Sequence, residues 1–207
     1  MSRRGRFITI EGGEGTGKST LIAGLETHFL ESGQPVTVTR EPGGTPLAET
    51  LRGLVLSPPS DTRWSAMSEA LLVYAARRDH LEKLIQPALA GGQNVICDRF
   101  ADSTRVYQRL GGLAPAVIEM LDDLVVGELQ PDLTLVLDGP VEELMARRKA
   151  RGGSDVFEAM PLDFHKDVRQ GFLDLAAAHP DRCKVIDATQ PEAAVLSDAL
   201  KAIEDAS

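Results

Sequence analysis

Cysteine is scarce in this sequence: Cys97 and Cys183 are the only two in 207 residues, and they stand far apart. The lack of a C-x-x-C pair and of metal-ligand spacing around either argues against a disulfide framework and a zinc site, and both thiols are expected to be buried and reduced. Long apolar runs are missing too, since nothing approaches the roughly 20 residues of a membrane span. The N-terminal "MSRRGRFITIEGG" turns to charge and glycine after four apolar-type positions, too few for the core of a signal peptide. Positive charge is in deficit: 22 Lys plus Arg face 31 Asp plus Glu, a net charge of -9. That balance argues against duplex DNA, RNA or an anionic bilayer as the main partner. The expectation is a cytoplasmic protein with no nucleic-acid or membrane partner, whose basic residues form local sites. No repeat or long linker interrupts the chain, so residues 1–207 read as one domain, a size that buries roughly 70% of its unfolded surface.

Apolar, β-branched runs recur at 6–10, 35–39, 94–98, 133–138 and 184–188, with helical patterns between them. Such alternation is the pattern of an α/β protein whose parallel sheet is covered on both faces. After the first run, Leu21, Ile22, Leu25, Phe29 and Leu30 keep a helical period, and Gly33 follows as a left-handed stop. A long helix is predicted over about 65–89, on a stripe that includes Leu71, Leu72, Ala75, Leu81 and Leu84, with a break near Pro87. Thr189 and Glu192 have the spacing of a capping box ahead of a C-terminal helix.

Between the first strand and the first helix lies "EGGEGTGKST", Glu11 to Thr20. Gly12-x-x-x-x-Gly17-Lys18-Ser19 is the P-loop pattern, in the strand-to-helix context that gives it meaning. Glycines let backbone N–H groups converge on phosphate oxygens, and the helix N-terminus adds partial positive charge. Lys18 then reaches toward the β and γ phosphates, and the Ser19 hydroxyl is available to Mg²⁺. ATP contacts are expected along Gly12, Gly13, Glu14, Gly15, Thr16, Gly17, Lys18, Ser19 and Thr20. A GTPase switch, an ATPase motor and a small-molecule kinase share this loop, so it leaves the reaction open. The guanine-reading NKxD is absent and the chain is short for a motor. Arginines beside two further strand ends suit a second phosphorylated substrate opposite ATP.

Those arginines lie in "TREPGGT", "YAARRDH" and "DRFADSTRVYQ". Together with the P-loop, and with "DLTLVLD" and "IDATQPEAAV" further along, they resemble bacterial thymidylate kinases over nearly the whole chain. The resemblance implies a P-loop NTPase three-layer α/β/α fold with a five-stranded parallel sheet, a small mobile LID at about 147–160, and a homodimer. It implies transfer of phosphate from ATP to dTMP with Mg²⁺. Under it, Arg99 bridges the donor and acceptor phosphates, Asp98 supports the Mg²⁺ hydration shell, and Arg77 holds the dTMP phosphate. Arg40 and Pro42 close over the nucleoside, Ser103, Thr104 and Gln108 lie along the base, and Tyr107 crowds the sugar 2′ position. Glu14 faces the acceptor's 3′-hydroxyl and a nearby arginine, and Glu11 orients Mg²⁺-bound water or an arginine. "DATQPE" falls at the donor adenine, an alternative to the capping box for the same letters.

Two positions depart from the family pattern. Val156 stands where many members carry a LID arginine, and Gly15 stands where others carry one in the P-loop, so one cation is missing from both usual places. An arginine at such a position is worth ~10³ or more in rate. Arg147, Arg148 and Arg151, on the helix that opens the LID, are the candidates to swing in and replace it. Val73 replaces the usual Phe at the base, leaving Tyr74 or an aliphatic wall to hold the ring. Another pyrimidine monophosphate as acceptor, or a nucleotide-sensing protein without turnover, are the alternative readings.

Overall fold

The computed structural model describes residues 4–147, apart from 60 and 61, then the backbone of 148–151, residue 157, and residues 160–206. Five strands form one parallel sheet: β1 (Phe7–Gly12), β2 (Val36–Arg40), β3 (Asn94–Asp98), β4 (Leu133–Asp138) and β5 (Cys183–Asp187), in the order β2-β3-β1-β4-β5. Side-chain alternation along β1 divides the core. Ile8 and Ile10 pack with Leu21, Leu25 and Phe29 of α1 (Lys18–Glu31) and with Val195, Ala199 and Ile203 of α9 (Glu192–Asp205). Phe7 faces the opposite layer, against Leu81, Ile85 and Phe100. Strands buried on both faces read as continuous apolar runs, which is why these segments stand out in the sequence. The five predicted strands are all present, and both cysteines are free and buried. Gly33, at φ 69°, ends α1 in the left-handed region, while Leu30 alone of the predicted stripe is exposed.

Helices α2 (Pro46–Leu56), α3 (Ala66–His80), α4 (Gln86–Ala90), α5 (Ala101–Leu110) and α6 (Pro115–Val125) precede β4, and α7 (Val141–Arg151) and α8 (Leu162–Ala178) follow it. The predicted long helix is split earlier than Pro87: a π-helical turn, Leu81–Ile85, separates α3 from α4. Pro87 has no N–H, and its ring would meet the carbonyl four residues back, so the ladder widens just before it. The inward face of α3 is also not the expected stripe. Ala70, Val73, Tyr74, Arg77 and His80 point in, whereas Leu71 and Ala75 point out. Three of those inward residues are polar or half-polar, which is why apolar periodicity misplaced the face.

The capping box is not formed. Pro191 occupies the N-cap of α9, and the Thr189 N–H and hydroxyl both donate to Asp187 Oδ1 (2.8 and 2.6 Å), a local turn that captures the hydroxyl first. The predicted LID lies mostly outside the described residues, Val156 included. No helix among the described residues is long and apolar enough to cross a membrane.

Candidate active site

Parallel strands deliver their C-terminal ends to one edge of the sheet, and there the β1, β2 and β3 loops meet. At the end of β1, a Cβ on Gly12 would stand 2.4 Å from the Leu137 carbonyl oxygen, so only glycine lets the loop turn against β4. Above Gly13 and Gly17 the space is open. Gly17 N-caps α1 without any side-chain bond, leaving the first amides of the helix directed at that space. Thr16 Oγ1 donates to Gly13 O at 3.0 Å, and Lys18 Nζ donates to Gly12 O (3.3 Å) and Gly13 O (3.0 Å). Burial and then the neighbouring Arg99 charge hold the Lys18 pKa down.

The β3 end carries Asp98 and Arg99. Arg99 is the one non-glycine with positive φ, 67°, among the described residues. Its guanidinium donates to Glu14 Oε1 at 2.5 Å and Ser103 Oγ at 3.2 Å, and lies 5.2 Å from the Tyr107 ring centre. Burial opposes this charge, but Tyr107, Glu14 and Asp98 around it raise its pKa, so Arg99 stays cationic. Asp98 Oδ1 is buried and has no partner among the described residues. Asp98 and Ser19 line the same cavity.

Glu11, given by the resemblance to Mg²⁺-bound water or an arginine, does not line the space around the P-loop. It is fully buried, on the α5 side of β1, where Oε1 accepts from Phe100 N (2.8 Å) and Ser103 N (3.2 Å) and Oε2 accepts from Ser103 Oγ (2.6 Å). These bonds satisfy the start of α5, which has no N-cap side chain of its own. Burial, and then the nearby Asp102 charge, push the Glu11 pKa up to about 7.

At the β2 end, Arg40 pairs with Glu49 on the outside (3.0 Å), while Glu41 turns inward. Its carboxylate accepts from Arg77 Nε (2.7 Å) and from His80 Nδ1 (3.0 Å), and the peptide to Pro42 is cis. Arg77, 1% exposed, donates through Nη2 to Thr104 Oγ1 at 3.0 Å, and its Nη1 has no partner among the described residues. Tyr74 bonds to Ile118 O (3.1 Å) and Asp122 Oδ1 (2.8 Å) inside the core, so it is not a substitute for the absent Phe. Val73, with Val55 and Leu56, makes the wall aliphatic.

These parts enclose a cleft of about 360 Å³, the size of a small-molecule site. It brings together residues 14–19 of the P-loop with Asp98, Arg99, Arg40, Pro42, Val73 and Arg77, and with Ser103, Thr104, Tyr107 and Gln108. Gly12 and Gly13 line a smaller cavity behind the loop, and Thr20 and Glu11 line neither. Arg52 and Phe157 also line the cleft, unanticipated from sequence. Ala48, Arg52 and Val55, spaced four and three residues apart on α2, carry the signal that could have revealed the arginine. Arg147 stands apart, its Nη1 on Ala188 O (3.0 Å) and its Nη2 on Glu143. The side chains of Arg148 and Arg151 lie outside the described residues.

A P-loop that shares one cleft with Arg40, Arg52, Arg77 and Arg99 defines a nucleotide kinase of the P-loop NTPase fold, with cations for more phosphate than the loop alone would hold. The thymidylate kinase family model matches residues 10–199. Thymidylate kinase from Caulobacter vibrioides is 53% identical over 89% of both chains, and that from Dinoroseobacter shibae is 51% identical over 97% of both. The crystal structure of thymidylate kinase from Ehrlichia chaffeensis, 34% identical, superposes with a TM-score of 0.78 over 97% of this chain and 99% of its own. The chain belongs to the thymidylate kinase family.

Proposed function

We propose that the chain transfers the γ-phosphoryl group of ATP to dTMP, giving ADP and dTDP. The observation that carries this reading is the single cleft in which the P-loop lysine, Arg99 and a chamber with an aliphatic wall and a buried arginine converge. Lys18 and the loop amides hold the donor phosphates, and Arg99 lies between donor and acceptor, steadied by Glu14 and Ser103. The dTMP phosphate oxygen is already anionic at neutral pH, so the reaction needs positioning and charge stabilisation rather than a general base.

The resemblance gave Arg77 the dTMP phosphate, but its surroundings favour the base. Its charge is already balanced by Glu41, and an N–H without an acceptor suits a neutral carbonyl of the pyrimidine better than a dianion. Arg40, Arg52 and Arg99 line the same cleft and are assigned to the phosphate, because the carboxylate pairs of Arg40 with Glu49 and of Arg99 with Glu14 are more exposed than that of Arg77 with Glu41 and can open to an incoming anion. Mg²⁺ fits beside the P-loop: it keeps most of its waters and takes few protein ligands, and the Asp98 oxygen without a partner among the described residues, in the same cavity as Ser19, offers such a place. When bound, the ion would neutralise charge on the ATP phosphates. A homodimer belongs to the same reading, supported by large apolar side chains exposed on packed helices: Leu71 on α3, and Met120 and Leu124 on α6.

A coupled assay of ADP release over dTMP, dUMP, CMP and UMP tests the assignment. One methyl group is worth about 1–3 kcal/mol in an apolar pocket, so dTMP should lead dUMP by about tenfold to a hundredfold, with CMP and UMP far behind. Absence of acceptor-dependent turnover would favour a binding protein, and preference for another base would reject thymidylate. In the same assay, joint replacement of Arg147, Arg148 and Arg151 by Ala should lower turnover at least tenfold if α7 supplies the missing cation. A change below threefold removes that role from α7.

A further inference from the structure

We infer that His80 is a positioning residue for recognition of the pyrimidine base, acting through Glu41 on Arg77; the inference rests on the reading of Arg77 as the base contact. Arg77 and His80 are three residues apart on α3, so both fall on its inward face. Glu41 reaches them from the β2 loop, where its own N–H is fixed on Asp98 O at 2.9 Å. One carboxylate oxygen accepts from Arg77 Nε at 2.7 Å and the other from His80 Nδ1 at 3.0 Å. On the far side of the ring, Nε2 is bonded to Thr39 Oγ1 at 2.7 Å. The result is an unbroken buried chain, Thr39 to His80 to Glu41 to Arg77 to Thr104, whose last link lies on α5 at the cleft.

The chain has no slack. Glu41 and His80 are both essentially inaccessible, so water cannot stand in for either partner. The loop also closes on the ring: a Cβ at Gly44, where φ is 87°, would stand 2.3 Å from His80 Nε2 and 2.5 Å from Thr39 Oγ1. With both oxygens held, the carboxylate plane is fixed, and with it the Nε edge of Arg77. Nη2 is committed to Thr104, which leaves Nη1 as the guanidinium nitrogen without an acceptor among the described residues. If His80 is lost, Glu41 is free to rotate toward other donors, and Arg77 loses the edge that sets its direction.

Steady-state kinetics on isosteric variants separates this role from a merely structural one. Asn places an amide N–H near the position of Nδ1, whereas Gln reaches the position of Nε2. His80→Gln should therefore raise the KM for dTMP about tenfold while the KM for ATP stays within about twofold, and His80→Asn should recover most of that loss. In an Arg77→Gln background the same His80→Gln change should add less than about twofold, because the route through the guanidinium is already gone. Equal effects of Asn and Gln, a parallel rise in the KM for ATP, or a His80→Gln penalty undiminished in the Arg77→Gln background would overturn the inference alone. An Arg77→Gln enzyme with unchanged KM for dTMP would overturn the reading of Arg77, and the inference with it.

Discussion

Replacing Arg99 with glycine should lower turnover about a thousandfold while leaving the melting temperature within a few degrees of the parent. The residue sits where the chain must leave β3 and enter α5. Its N–H continues the sheet to Ile10 O (3.0 Å), and the next amide is already given to Glu11. That change of direction requires φ 67°, which costs an L-residue about 1–2 kcal/mol and glycine almost nothing. Glycine would thus return about 1 kcal/mol of backbone strain, offsetting the lost contacts to Ser103 Oγ and Tyr107 and the partly exposed pair with Glu14. Under the proposed reading chemistry has no such compensation, because the guanidinium that lines the cleft beside the P-loop would be absent. A coupled turnover assay beside a thermal melt reads both quantities. Turnover within tenfold of the parent would mean that the strained arginine is not retained for phosphoryl transfer.

The residues legible in the sequence are those whose positions are set locally. The P-loop, Asp98-Arg99 and Arg40-Pro42 each follow directly from the end of a strand, and parallel strands bring their ends to one edge, so finding the strands places the loops. Ser103, Thr104, Tyr107 and Gln108 came from resemblance to a family and from one helix, whose face carries them to the cleft together. Glu11 lies off the cleft because β1 runs through Gly12, two residues beyond the predicted end. Inside the strand, parity sends Glu11 to the Phe7 face and away from Ile8 and Ile10, hence to α5 rather than to the phosphates. Tyr74, Glu41 and His80 were settled by partners 36 to 48 residues distant, such as Arg77 for Glu41 and Asp122 for Tyr74. No local pattern encodes such pairings. Arg52 was hidden for a related reason, since an arginine on a helix is exposed in most contexts and only the packed orientation of α2 turns this one to the cleft.

Asp102→Ala should destabilise the fold by about 3 kcal/mol, the loss expected when one partner of a buried ion pair is removed and its cation is left behind. Asp102 lies in the first turn of α5, 2% exposed, and accepts from Arg182 Nη1 (2.6 Å) and Nη2 (2.9 Å), from Arg105 Nη1 (2.7 Å) and from Thr134 Oγ1 (3.2 Å). It joins α5 to β4 and to the residue just before β5, so the helix that presents Ser103 and Thr104 is anchored through it. Burial pushes the Asp102 pKa up, but the bidentate Arg182 and then Arg105 outweigh it and hold the carboxyl below its ordinary value. Its stabilisation is therefore complete above the unfolded pKa and is lost as pH falls through the lower folded value. Glu11 has the opposite sign. Raised from 4.5 to about 7 by burial and by the Asp102 charge, it contributes stability that is present below 4.5 and fades as pH rises through about 7. Removing Asp102 relieves part of that upward push, so the variant should lose less stability than the parent across this range. Urea unfolding should accordingly find the stability gap between parent and variant wider at about pH 5 than at about pH 8. A gap below about 1 kcal/mol would show that Arg182 and Arg105 find other partners, and a gap that widens toward pH 8 would uncouple Asp102 from Glu11.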